Sequence, residues 1–108
     1  MGLVFWKNNR QIDAFAQAVA DDLFSYVQPD IANAHILGRG KLSKKQKIKT
    51  EQKFNDIFLQ MKRFSDSQSL GIYGKARLQK KFNERLEELG YQTAVVNKIA
   101  EDFLIQNV

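Results

Sequence analysis

Lys41, Lys45, Lys49 and Lys53 recur every four residues, and on a helix that spacing lines their ammonium groups along one ridge. Lys44, Lys47, Lys62 and Arg63 widen the ridge, while Lys75, Arg77, Lys80 and Lys81 form a second basic set further along the chain. Repelling lysines at helical spacing cost helix stability unless an anion neutralises them, so the chemistry they suggest is binding to a polyanion. Nucleic-acid backbone is one such partner and an acidic protein another. Lysine outnumbers arginine twelve to five. Bidentate base recognition prefers arginine, so contact with nucleic acid is expected to be electrostatic and weakly specific. The plainer explanation of the same residues is a solvated face that keeps a helix soluble.

Groups able to carry catalysis are scarce. His35 is the single histidine and there is no cysteine, which removes thiol nucleophiles, disulfides and thiolate metal sites. The adjacent carboxylates Asp21-Asp22 and Glu87-Glu88 point to different sides of a helix. Glu84 and Glu88 share a face, but Lys80, Lys81 and Arg85 beside them make a solvated charge lattice. A metal site would need ligands converging on His35 from distant segments. These residues lead us to expect no enzyme, no cofactor, no metal and no small-molecule substrate. Gly71-Ile72-Tyr73-Gly74-Lys75 lacks the four-residue spacing and following hydroxyl of a phosphate loop. It satisfies the GXXG of a KH loop, but that domain needs strands, and none is legible here.

Aromatic residues supply a second candidate surface. Phe5, Trp6 and Phe24 fall at the edge of the first helix's apolar stripe or off it, and exposed aromatics mark partner contacts. The alternative function is therefore a protein-interaction or homodimerising domain that uses an aromatic N-terminus. A peripheral membrane role ranks third, because one short aromatic segment beside Lys7 and Arg10 anchors weakly.

Four amphipathic stripes position these groups. Ile12, Phe15, Ala16, Val19, Leu23 and Tyr26 define a helix over about 11–27, capped by Asn8 or Asn9 and stopped at Pro29. Phe54, Ile57, Phe58, Met61 and Phe64 stripe a helix over about 43–64, capped by Ser43. Its lysine-rich first half lacks an apolar face, so it should project from the core or fray. Leu78, Phe82, Leu86 and Leu89 define a third helix over 75–89, preceded by an apolar turn at Leu70–Gly74. Gly90 then suits a left-handed stop, with Tyr91 packing back on Leu86. Thr93 is expected to cap a fourth helix striped by Val96, Ile99, Ala100, Phe103 and Leu104. Glu101 and Asp102 outweigh Lys98 on its outer face, so a helical hairpin explains this pair better than a DNA-reading helix-turn-helix.

The expected fold is all-α: one compact domain over 1–108 with four principal helices, an apolar tail at 1–8 and a flexible connection at 38–42. Pro29-Asp30 is able to open an extra short helix near residues 30–37. An apolar fraction of 44% permits a real core. No run approaches the ~20 apolar residues of a membrane span. Leu3–Trp6 is shorter than a secretory core, and Trp6 stands where a myristoylation pattern wants Ser or Thr. A cytoplasmic setting follows. The net charge of +5 hides a segregation: residues 39–81 carry thirteen basic side chains against three acidic, while both flanking segments are net acidic. That asymmetry builds a field only if folding keeps the blocks apart.

Overall fold

A computed structural model describes the backbone of residues 2–38 and 40–106, with side chains at 9–38 and 40–105. It is all-α. Helix α1 spans Gly2–Tyr26, α2 Pro29–Leu37, α3 Lys44–Ser67, α4 Ile72–Glu88 and α5 Thr93–Gln106, and no strand occurs among the described residues. The helices share one continuous core and fill an envelope of 51 × 25 × 20 Å.

The connectivity follows from who touches whom. Asp13 meets Arg77, Asp21 meets Arg85 and Tyr91 meets Val27, each pair 64 residues apart. A constant offset means that α1 and α4 run parallel in fixed register. Ile12, Ala16, Val19, Ala20 and Leu23 line the buried face of α1, and Leu78, Phe82 and Leu86 that of α4. Ala16 and Ala20 are fully covered, and small side chains let helices approach closely. Helix α3 supplies the crossover and runs antiparallel to α1: Phe15 stacks on Phe64 with centroids 4.0 Å apart, and Asp22 reaches Lys53. Helix α2 closes one end, where His35 lies 5.9 Å from the Phe54 ring.

The α4–α5 turn forms as its residues dictate. Gly90 has φ +103°, its N–H donates to Glu87 and the Tyr91 N–H donates to Leu86. This is the pair of crossed bonds that satisfies the last carbonyls of a helix. Tyr91 is buried, and its hydroxyl donates to the Val27 carbonyl, tying the turn to the end of α1. At the other end, Ser43 caps α3 reciprocally: its Oγ accepts from the Gln46 N–H and its own N–H donates to the Gln46 side chain.

Several local expectations need correction. Helix α1 begins at Gly2 rather than near residue 11, whereas the short helix expected near residues 30–37 forms as α2. Helix α4 begins at Ile72, so Ile72–Gly74 is helix rather than turn; only Leu70 of that segment's large residues packs inward, while Ile72 is 90% exposed. Gly74 is buried, and a Cβ there would come within 3.2 Å of the Leu70 Cβ, so the glycine makes room for that leucine. Thr93 is the first residue of α5, and its hydroxyl donates to Glu87 across the hairpin instead of capping. Leu104 is exposed and Val95 is fully buried in the place expected of it.

Candidate anion-binding surface and apolar groove

Folding divides the basic residues into those consumed by the protein's own acids and those left free. Successive ridge residues four apart rotate by about 40° around a helix. Lys45 and Lys49 stay outside, and the next step carries Lys53 into the seam between α3 and α1. There its ammonium donates to Asp22 at 2.9 Å and Asp56 at 3.3 Å and lies 4.1 Å from the Tyr26 ring centroid. The side chain is only 14% exposed. Burial alone would lower its pKa; the hydrogen bonds and charges of Asp22 and Asp56 outweigh that and raise it above 10.5. Lys53 is thus a structural cation and leaves the expected binding set.

Arg77 leaves it too. It grips Asp13 with a two-pronged contact, Nε to Oδ1 and Nη2 to Oδ2 at 2.8 Å each, and that hydrogen bond is the main cause of its raised pKa. Lys81 sits 3.5 Å from Glu84 and is half-covered. Arg85 pairs with Asp21 on the same α1–α4 seam. The acidic N-terminal block therefore interleaves with the basic middle block, and the segregation visible along the chain is partly cancelled in space.

Two basic groups remain. On the first, Lys41, Lys44, Lys45, Lys47 and Lys49 are all exposed, and none meets an acid among the described residues. Every residue from Ser43 to Lys49 is exposed, so this half of α3 projects as a capped helical arm rather than fraying. No acidic residue occupies its first turn, so the helix dipole adds to the positive field. On the second, Lys62, Lys75 and Lys80 surround a cleft of about 750 Å³ between α3, α4 and α5. Lys49 and Lys62 are separated by roughly 20 Å along α3 at 1.5 Å per residue. Glu51 and Asp56 are exposed in the intervening stretch, and Arg63 is exposed near the far end. Among the described residues the basic side chains do not form one continuous face.

The aromatic candidates divide as well. Phe24 is partly buried and packs edge-on to Tyr91 with centroids 6.3 Å apart, so it is not the free contact residue expected from its position off the stripe. Phe5 and Trp6 lie outside the described side chains.

His35 Nε2 donates to the Glu51 carboxylate at 2.8 Å and is engaged in holding α2 on α3. No group of three His, Cys, Asp or Glu side chains converges as metal ligands among the described residues. Among them, too, no helix is long and apolar enough to cross a membrane. The cleft was missed at the sequence level because its walls come from three helices; the residues that signal it are Ile72 and Leu104, apolar and exposed. No protein-family model, curated protein or solved structure matches the chain.

Proposed function

We propose that this protein is a non-catalytic binding module whose lysine arm, residues 41–49, docks on the phosphate backbone of nucleic acid. The observation that carries the reading is five exposed lysines without acidic partners among the described residues, four on a helical arm that has no apolar stripe and Lys41 just before its cap. Protein interfaces bury an apolar centre and are depleted in lysine there. Apart from Ile48, the exposed residues from Ser43 to Lys49 are all polar or charged, which suits a partner held mainly by charge. Lys45 and Lys49 share one side of the helix, and with Lys41 just before the cap they make about three phosphate contacts. Such a small footprint, built from lysine, holds the backbone without reading sequence. A cysteine-free chain of this kind suits a cytoplasmic setting.

Fluorescence anisotropy with a labelled DNA duplex at ~50 mM salt tests this. Saturable binding is expected, weakened by Lys45→Gln with Lys49→Gln and little changed by base sequence. Binding of polyglutamate in preference to the duplex would overturn the assignment to nucleic acid, and no binding of either would overturn the arm as a docking surface.

A further inference from the structure

The cleft between α3, α4 and α5 is a different kind of surface from the lysine arm. Ile72, Ala76, Phe103 and Leu104 give it apolar walls, and it lies open to solvent on one side. Ile72, Ala76, Gln79 and Asn83 follow one another at steps of four, three and four along α4, so the cleft runs for about 16 Å, three helical turns. Ile72 is 90% exposed, Leu104 60% and the neighbouring Ile105 72%. Ile72 and Leu104, both lining the groove, are exposed apolar side chains, and such exposure along a groove marks a contact site.

Charge says what covers it. Lys62, Lys75 and Lys80 stand around the opening, and none has an ion-pair partner among the described residues. Of the two carboxylates at the same rim, Glu84 lies 3.5 Å from Lys81, which leaves Asp66 as the one acid not in an ion pair. An apolar trough of three turns with a net basic rim is complementary to an amphipathic helix whose apolar stripe is flanked by Glu or Asp. A single acyl chain is a poorer fit, because it would leave Ile72 and Leu104 in water on either side, and lipid-sized ligands bind where most of their surface is enclosed.

We propose that this groove receives the apolar face of an acidic amphipathic helix from a partner protein. The site does not use the lysine arm, so the two surfaces can be occupied together and can fail separately.

The test is selection from a displayed library of helical peptides on the full-length protein. Each peptide carries leucines at i, i+3, i+4 and i+7, with flanking positions drawn from Glu, Gln and Lys. Acid-flanked sequences should be enriched. Ile72→Glu and Leu104→Glu should each weaken the selected peptides roughly tenfold or more, because each places a charge against the buried stripe. Both positions are exposed, so an unchanged circular dichroism spectrum and melting temperature confirm that these variants fold. Lys75→Glu with Lys80→Glu should reverse the preference toward Lys-flanked peptides, and Lys45→Gln with Lys49→Gln should leave peptide affinity unchanged. No enrichment, enrichment of Lys-flanked peptides by the wild type, or peptide binding indifferent to Ile72→Glu and Leu104→Glu would overturn the proposal. So would a wild-type dimer in sedimentation equilibrium that Ile72→Glu dissolves, since the groove would then be a self-association surface.

Discussion

Replacing Lys53 with methionine keeps the aliphatic stem in the α1–α3 seam and removes the charge, leaving Asp22 and Asp56 facing each other without their shared cation. The magnitude follows from the contacts. Losing a charged hydrogen-bond partner costs about 1.5–3 kcal/mol where solvent cannot replace it. Here Lys53 is 14% exposed, but Asp22 is 35% and Asp56 50% exposed, so water recovers much of the loss at the second carboxylate. The Gln60 amide continues to donate to both aspartates, at 3.2 and 2.9 Å, and softens the effect further. The ammonium over the Tyr26 ring adds about 0.5–1 kcal/mol. The expected net cost is about 2 kcal/mol, or roughly 8–12 °C in melting temperature for a domain of this size. Lys45→Gln with Lys49→Gln, two and one steps back along the same ridge, should leave the midpoint unchanged or raise it slightly as like charges are removed. Thermal and urea melts followed by far-ultraviolet circular dichroism read both. A double-mutant cycle with Asp22→Asn should return a coupling of at least about 0.5 kcal/mol. If Lys53→Met melts with the wild type, or if the exposed pair costs as much, the division of the ridge into a structural and a free part is wrong.

Tyr91→Phe leaves the buried Val27 carbonyl without its donor and should cost about 1–3 kcal/mol in urea titrations. Burial also raises the Tyr91 phenol above its ordinary 10.0, so the folded chain holds a proton that the unfolded chain releases. That contribution is complete below pH 10 and declines as pH rises above it, so wild-type stability should fall more steeply than that of Tyr91→Phe between about pH 10 and 11. Gly90→Ala should destabilise by about 1 kcal/mol: an added Cβ meets only Pro29 at an ordinary 3.7 Å, so the cost is backbone strain at φ +103°. Asn33→Ala should raise stability by about 1 kcal/mol, since the Asn33 side-chain oxygen is buried without a hydrogen-bond partner among the described residues and alanine is the better helix former; a lower melting temperature would contradict this.

What was legible in the sequence is what short-range physics decides. The stripes of α1, α3, α4 and α5 are periodic within one element, and the Gly90–Tyr91 stop and the Ser43 cap are completed by residues within a few positions. What was not legible depends on which helix lies beside which. Nothing local reports that α1 and α4 run parallel at an offset of 64, and that register takes Arg77 out of the anion-binding set and pairs it with Asp13. Lys53 fits the four-residue ridge as well as Lys49 does; the 40° drift per step matters only once α1 is known to bring Asp22 to that seam. Phe24 lies off the stripe of α1 yet finds cover, because Tyr91 arrives from the α4–α5 turn. Leu70–Gly74 reads as an apolar turn from its two glycines, but one of them serves helix packing and the exposed Ile72 between them belongs to a groove that three helices build together.

The salt dependence of binding to duplex DNA tests the central claim, a free lysine arm docking on phosphate, most directly. With about three phosphates contacted, the slope of log affinity against log salt is predicted near −2.7, falling to about −0.9 in Lys45→Gln with Lys49→Gln. Lys53→Met, measured where it remains folded, should keep the wild-type slope, because that ammonium belongs to Asp22 and Asp56. A slope that the double variant leaves unchanged, or that Lys53→Met flattens instead, would contradict the account.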